Sequence, residues 1–458
     1  MSGLLVIVGD NVLLPDDKVP RPATVVVDLT SGKITTISPS RASRSSFPEN
    51  VQWIDAGSKY VLPGLVDSHV HLNEPGRTDW EGFWTGTRAA ASGGVTTVVD
   101  MPLNSIPPTV TASNLQIKRD AAYNQCFTDV AFWGGVIPNH QNHLKPLVDA
   151  GVKGFKCFLI ESGVEEFPCV VEEDLKAAMD VLQDLPTTLL FHAELEHPSH
   201  EASPAVSTHP TLYSTFLASR PQTLEVDAIS LVTRLQKSYP RLRCHIVHLS
   251  AASALPLVRE AKASGVNLTV ETCFHYLCLA ADSIPDGQPQ FKCCPPVREE
   301  GNRQLLWDAL LDGTIDCVVS DHSPCVAELK KLDKGDIMEA WGGISTLGLG
   351  LSLLWTEGRK RGVGIGKIID WTSKKSAQHA SLDHVKGALK VGYDADIIIW
   401  DADAQFTVTK ESLNFKNKLS PYEGQTLFGT VEKTLLRGHV VYDKENGFTA
   451  GTPIGKLL

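Results

Sequence analysis

The stretch LVDSHVH (residues 65–71) decides the fold that this sequence predicts. It is a short apolar run that contains one acid and two histidines. In an extended strand successive side chains point to opposite faces, so His69 and His71 point to the same side. The stretch therefore predicts a strand that ends in two neighbouring imidazoles.

Seven further strand candidates follow between about residues 61 and 390, with amphipathic helical patterns between them, for example at 172–185 and 252–265. Eight strand-then-helix units are the count of a closed (β/α)₈ barrel of the TIM type. An open, doubly wound sheet is the alternative, although no GxGxxG turn follows the first strand. The further candidates are TTVVDMP (96–102), TDVAFWGGV (128–136), GFKCFL (154–159), TLLFHAE (188–194), RCHIVHLS (243–250), NLTVETCFH (267–275) and DCVVSDHSP (316–324).

Both ends of the chain differ from this middle part, because they consist of short alternating runs separated by turns. ATVVVDL (23–29) and KITTIS (33–38), with Ser31-Gly32 between them, predict a β-hairpin. The whole is thus an α/β protein with a small β-rich domain built from both termini. The predicted division is 1–60 and 391–458 for the small domain and 61–390 for the barrel.

Composition excludes several classes of function. The chain has 458 residues and a formal net charge of −11, without a Lys/Arg cluster, which disfavours binding to nucleic acid or to an anionic membrane. No run approaches the roughly 20 apolar residues that span a bilayer. The N-terminal run lacks a basic segment and is interrupted by Asp10, so it predicts a first strand rather than a signal peptide.

The ten cysteines form no CxxC pair, and several lie inside apolar runs. This pattern predicts buried free thiols in a reducing compartment rather than a disulfide framework, and so a cytoplasmic protein. The cysteines in strand candidates are Cys157, Cys244, Cys273 and Cys317.

Six polar residues fall at the carboxyl ends of five strand candidates, the face on which such barrels place their active sites. Taken singly, each has an ordinary structural explanation, such as a hydrogen-bonded core histidine or a helix cap. Their common position is what predicts a site. The residues are His69, His71, Lys156, His192, His248 and Asp321.

Imidazole and carboxylate groups are suitable ligands for Zn²⁺ and similar ions. His69, His71 and Asp321 are predicted to hold one ion, and His192 and His248 a second. Lys156 cannot bind a metal as an ammonium, but carboxylation by CO₂ would turn it into a bridging anion. Two such ions would lower the pKa of a shared water, and Asp321 is the predicted base and proton shuttle.

Five other histidines fit this pattern less well. His275 and His322 lie close to it and are candidates for supporting the ligands from behind. His197, His200 and His209 lie in a polar loop and are predicted at the surface.

Motifs along nearly the whole chain resemble those of the allantoinase family, within the cyclic amidohydrolase superfamily. HxH with a barrel lysine is typical of the superfamily, and MPLN, SDHSPC and AWGGI are typical of the narrower family. The matching segments are 62–83, 93–109, 154–159, 271–277, 320–325, 340–344 and 420–443.

The resemblance implies a binuclear centre on the same six residues, with carboxylated Lys156, and no ligand position departs from the family pattern. It implies hydrolysis of (S)-allantoin to allantoate in purine breakdown, with a small-molecule substrate and a homotetramer. Zn²⁺ is the expected metal, and Mn²⁺, Co²⁺ and Fe²⁺ tolerate the same ligands. Asn104 in MPLN and Ser323 in SDHS are candidate substrate contacts, and a turn at the end of a strand is the alternative explanation of MPLN.

Two departures separate the chain from related families. Dihydroorotases usually carry an arginine two residues after the second histidine of HxH, where this chain has Asn73. Dihydropyrimidinases and hydantoinases place a tyrosine about five residues after the barrel lysine, where this chain has Glu161. A dihydropyrimidinase or hydantoinase activity is the alternative function. A non-catalytic scaffold of the same fold is another, but it predicts missing ligands, and the ligand set is complete.

Overall fold

The computed structural model describes residues 3–15, 17–196, 209–449 and 451–458. His197 and His200 therefore lie outside the described residues, whereas His209 is exposed, as predicted. Within these ranges no helix has both the length and the apolar character needed to cross a membrane. The ten cysteines are free, and the four in the strand candidates are buried.

Five short strands open the chain. The predicted hairpin is confirmed, because β2 pairs antiparallel with β3 and Asp28 faces Lys33 across the turn. The predicted first strand is confirmed as β1, which lies beside β2. The strands are β1 (Leu4–Val12), β2 (Arg21–Asp28), β3 (Lys33–Ser38), β4 (Gln52–Asp55) and β5 (Tyr60–Pro63).

The middle of the chain forms a parallel barrel from the predicted strands. The strands form two hydrogen-bonded sets, in each of which neighbours in sequence are neighbours in space. One set runs from β6 through β7 to β8, and the other runs from β9 in order to β14. The amide of His71 donates to the carbonyl of His322 at 2.8 Å, which connects the first strand to the last. The strands are β6 (Leu65–Val70), β7 (Val95–Asp100), β8 (Asp129–Phe132), β9 (Gly134–Gly135), β10 (Phe155–Phe158), β11 (Thr188–His192), β12 (Arg243–Ile246), β13 (Leu268–Cys273) and β14 (Cys317–Val319).

The third predicted strand is divided between β8 and β9 at Trp133. Its amide still bonds back to Asp100, whereas the amide of Gly134 bonds forward to Gly154, so the strand changes partner there. A side chain at Gly135 would lie 2.4 Å from the ring of Phe167. Glycine is therefore required where the strand turns toward the next one.

Helices cover the outside of the barrel. The pattern at 172–185 is confirmed as a helix whose Leu175, Met179 and Leu182 face the core while its first turn is acidic. The helices are α1 (Phe83–Ser92), α2 (Ala112–Ala122), α3 (Gln141–Asp149), α4 (Glu172–Leu182), α5 (Tyr213–Ser219), α6 (Thr223–Gln236), α7 (Leu255–Ala263), α8 (Phe274–Cys278), α9 (Glu300–Asp312), α10 (Gly350–Arg359), α11 (Ile365–Ile369) and α12 (Lys375–His379).

The C-terminal segment adds β15 (Ile397–Thr407), β16 (Thr426–Leu436), β17 (His439–Asp443) and β18 (Gly447–Phe448). Because β15 pairs antiparallel with β5, strands from both ends of the chain form one nine-stranded sheet. A separate apolar core, which includes Ile7, Val25 and Ile397, supports this sheet.

A buried ionic cluster lies where this sheet meets the barrel, and we call it the junction cluster. Lys386 donates to Asp129 at 2.5 Å, to Asp396 at 2.6 Å and to Asp394 at 2.9 Å. Arg437 binds both oxygens of Asp129, at 2.6 and 2.7 Å. The carboxylates raise the pKa of Lys386 above its usual range, although burial by itself would lower it.

Candidate active site

The six predicted residues line one cavity of about 290 Å³ in the barrel. His192 is the last residue of β11, and His248 and Asp321 lie two residues beyond β12 and β14. Lys156 is different, because it is the second residue of β10 and not at its end as predicted. The four-carbon side chain of lysine allows it to reach the cavity from within the strand.

His69, His71 and Asp321 form the tightest group in the cavity. Nε2 of His69 lies 3.2 Å and Nε2 of His71 3.4 Å from the same oxygen of Asp321. The ligand atoms of the three side chains all lie within 4.8 Å of one another. Each of the three side chains is buried.

The hydrogen bonds behind this group show which atoms are able to bind a cation. Nδ1 of His69 lies 2.5 Å from Oε1 of Glu271, a contact that fits the tautomer in which Nδ1 donates to the carboxylate. In that tautomer Nε2 of His69 carries a lone pair, and Nε2 forms no hydrogen bond with a described residue. A lone pair that faces a carboxylate oxygen in a buried site is the arrangement that a divalent cation fits.

The other ligand candidates line the same cavity. The rings of His192 and His248 are 4.6 Å apart and nearly perpendicular, and His248 lies 5.4 Å from the ring of His69. His192 stacks on Phe158 at 4.4 Å. Nζ of Lys156 is 5.2 Å from that same ring. The structure thus brings all six predicted residues together around one space.

Burial controls the charges of these groups. It lowers the pKa of Lys156 to about 8, against the opposing effect of Asp321 and Glu271. Burial alone would raise the pKa of Asp321, but His69 and His71 outweigh it and hold that pKa well below its usual range. Asp321 is therefore a carboxylate near neutral pH, and an uncharged Lys156 amine is readily accessible.

Carboxylates stand behind three of the histidines, and the sequence analysis assigned none of them. In addition to Glu271 behind His69, Oε2 of Glu194 lies 2.7 Å from Nε2 of His192. Burial alone would raise the pKa of Glu194, but His192 and Arg220 lower it to about 2. Carboxylates in this position orient metal-binding imidazoles and fix their tautomer.

His322 also has such a partner, because its Nε2 lies 3.1 Å from Glu81, while its Nδ1 accepts from two backbone amides. It therefore supports the loop after β14 and does not line the cavity. His275 is buried near Cys273 and Asp321, and neither of its ring nitrogens bonds to a described residue. Burial lowers its pKa to about 4.

Asn104 and Ser323 both line the cavity. Nδ2 of Asn104 lies 3.3 Å from Nδ1 of His71, so this side chain also fixes the plane of that ring. Asn104, His248 and Asp321 all have positive φ angles, of 67°, 40° and 43°. Strained backbone of this kind concentrates at functional sites, where the surrounding structure supports it.

A parallel barrel with buried histidine, lysine and aspartate donors around one cavity defines a metal-dependent hydrolase of the TIM-barrel class. Comparison with known proteins narrows the class. The amidohydrolase family matches residues 60–441, and the chain belongs to this family.

Relatives and solved structures agree with this assignment. An allantoinase of Saccharomyces cerevisiae is 48% identical over 99% of this chain and 98% of its own length. An allantoinase of Streptomyces avermitilis is likewise 48% identical, over 99% and 98%. In structure, the L-hydantoinase (dihydropyrimidinase) of Arthrobacter aurescens has a TM-score of 0.90, 27% identity and 99% coverage of both chains.

Proposed function

We propose that this protein hydrolyses (S)-allantoin to allantoate at a binuclear metal centre. The observation that carries the proposal is the convergence of six donors from five strands on one cavity. The similarity to two allantoinases at 48% identity supports the choice of substrate. A cavity of about 290 Å³ suits a small molecule of this kind.

The proposed ligands are His69, His71 and Asp321 for one ion and His192 and His248 for the other, with carboxylated Lys156 bridging them. Burial favours the uncharged amine of Lys156, which is the form that reacts with CO₂. When bound, two divalent ions supply polarisation of the substrate carbonyl and a lower pKa for the attacking water. Zn²⁺ is the expected ion, because imidazole and carboxylate suit it.

Asp321 is the proposed proton carrier. It accepts a proton from the attacking water, whose oxygen forms a bond to the ring carbonyl carbon. The bond from that carbon to the ring nitrogen then breaks, and Asp321 delivers the proton to the leaving nitrogen, so one water is consumed for each ring opened. Asn104 and Ser323, on the cavity wall, are proposed to hold the substrate.

Hydantoin or dihydropyrimidine rings are the second candidate substrates, and the TM-score of 0.90 to an L-hydantoinase favours them. Glu161 argues for allantoin. It lines the cavity and accepts a bond from the thiol of Cys169 at 3.3 Å. A carboxylate there offers an acceptor for the additional N–H groups of a ureido substituent.

The test is ring opening of allantoin by the purified protein, beside dihydrouracil and dihydroorotate, before and after chelation. We expect rapid turnover of allantoin that is lost on chelation and restored by Zn²⁺. Turnover of dihydrouracil instead of allantoin would contradict the proposed substrate but would agree with the proposed ring hydrolysis. Metal-loaded protein that opens none of the rings would favour the scaffold alternative.

The proposal extends to the assembly, the compartment and the domain division of the protein. We propose a homotetramer in the cytoplasm, with the barrel at 61–390 and the small domain at 1–60 and 391–458. The pairing of β5 with β15 supports that division. A solution mass of four chains by light scattering is expected, and a monomer would contradict the assembly.

A further inference from the structure

The two histidines proposed for the second ion lie on neighbouring strands, and each is followed by a buried polar network. On the first strand, Glu194 follows His192 by two residues and binds it at 2.7 Å. Nη1 of Arg220 donates to the same oxygen of Glu194 at 2.5 Å. Glu194 is fully buried, whereas the side chain of Arg220 is 23% exposed and lines the cavity.

The loop after the second strand has a comparable carboxylate behind it, Glu225 of α6. Two residues after His248, the amides of Ser250 and Ala251 donate to one oxygen of Glu225, at 2.9 and 3.0 Å. The other oxygen of Glu225 binds Nη2 of Arg298 at 2.8 Å, and both side chains are only 2% exposed. The loop that carries His248 is therefore fixed by an ion pair that water does not reach.

Arg298 joins these two networks. Its Nη1 donates to the backbone carbonyl of Arg220 at 3.1 Å, and its Nε donates to the hydroxyl of Ser250 at 2.9 Å. A continuous path therefore runs from His192 to the loop after His248. We call its four side chains, Glu194, Arg220, Glu225 and Arg298, the arginine frame.

The proposed ligands of the first ion depend on different partners. Glu271 fixes His69 at 2.5 Å, and Asn104 lies against His71 at 3.3 Å. The two sets meet where the amide of His248 donates to Glu271 at 3.3 Å. This difference predicts that substitution of an outer partner, unlike loss of a ligand, weakens one half of the centre more than the other.

We propose that the arginine frame positions His192 and His248 as the pair that holds the second metal ion. Arg220 and Arg298 are thus positioning residues, which act through Glu194 and through the loop after His248. The inference rests on the proposed function for the existence of a second ion. Outer partners of metal-binding histidines typically contribute a factor of about 10–100 in metal affinity.

The test is titration of the metal-free protein with Zn²⁺ in competition with a chromophoric chelator, together with the metal content after dialysis. In Arg220→Met we expect the second binding step to weaken about 10–100-fold, with the first step nearly unchanged. Arg220→Lys retains a cation for Glu194 and should recover much of the second step. The matched control is Arg259→Met, which breaks a half-exposed pair with Asp312 far from the frame and should leave both steps unchanged.

Circular dichroism and thermal melting of each variant show whether it is folded. If Arg220→Met does not fold, Glu194→Gln replaces it, since it keeps the size of the side chain and removes the charge. If the wild-type protein and these variants all hold two ions tightly, the positioning role of the arginine frame is wrong, while the proposed function is unaffected. Fewer than two ions in the wild-type protein would overturn the proposed function together with the frame.

Discussion

The barrel mouth and the junction cluster are both buried and polar, but they differ in how their charges are matched. In the junction cluster, Lys386 and Arg437 contact the carboxylates directly. At the barrel mouth, the Nε2 lone pair of His69 faces a carboxylate oxygen of Asp321. The protein itself completes the first cluster, whereas the second is the site proposed to take a cation from outside.

This difference separates a structural role from a functional one. A matched buried ion pair is often no more stabilising than apolar residues of similar volume, but removing one partner leaves an uncompensated charge and is costly. A site without its cation shows the reverse behaviour, since removing a ligand relieves the mismatch. Substitutions at the two sites should therefore have opposite effects on stability and on activity.

The largest expected effect is in His69→Ala, which removes a ligand from the centre. We expect both metal content and allantoin turnover to fall to background, with a melting temperature close to that of the metal-free wild type. Metal analysis and thermal melting measure the two parts separately. Lys156→Ala should behave in the same way, and retained activity without added carboxylic acid would exclude the bridging role.

Asp321→Asn should have the next largest effect. The amide keeps the shape of the side chain and an oxygen for the metal but cannot carry the proton. We therefore expect most of the metal to remain and kcat to fall by about 10²–10⁴-fold, the usual contribution of a general acid–base group. Near-normal kcat in metal-loaded protein would remove Asp321 as the base.

Lys386→Met tests the other side of the comparison. It leaves Asp129, Asp394 and Asp396 without the cation that contacts all three, and we expect a loss of about 3–5 kcal/mol in the free energy of unfolding. Turnover per folded molecule should not change. The control is Lys33→Met, because Lys33 pairs with Asp394 at a partly exposed position and should contribute about 1 kcal/mol or less.

Metal removal should also lower the free energy of unfolding. Binding to the folded state alone stabilises it by about 2.7 kcal/mol for each ion when free metal is about 100-fold above the Kd. Chemical denaturation with and without chelator measures this difference. It should disappear in His69→Ala and persist in Lys386→Met, and the opposite pattern would contradict the separation of the two clusters.

The sequence was sufficient to predict the barrel and six of the residues that line its cavity. Alternation within strands placed His69 beside His71, and the ends of separate strands placed His192 and Asp321 on the same face. These are local signals, and parallel strands bring them together without further information. Lys156 was predicted at the end of its strand. It lies inside β10, and its long side chain reaches the cavity from there.

The partners behind the ligands were missed, and only some of them had a local signal. Glu194 follows His192 by two residues, so alternation was enough to place it nearby. Glu81 and His322 are 241 residues apart in sequence, and Arg298 contacts a carbonyl 78 residues away. Contacts over such distances depend on how loops pack against one another, which residue patterns do not specify.

The most direct test of the account is the metal content of wild-type, His69→Ala and Lys386→Met protein, measured on folded fractions beside allantoin turnover. We predict two ions per chain and full turnover in the wild type and in folded Lys386→Met, with both lost in His69→Ala. Metal and activity that survive in His69→Ala, or disappear in folded Lys386→Met, would contradict the assignment of the centre to the barrel mouth.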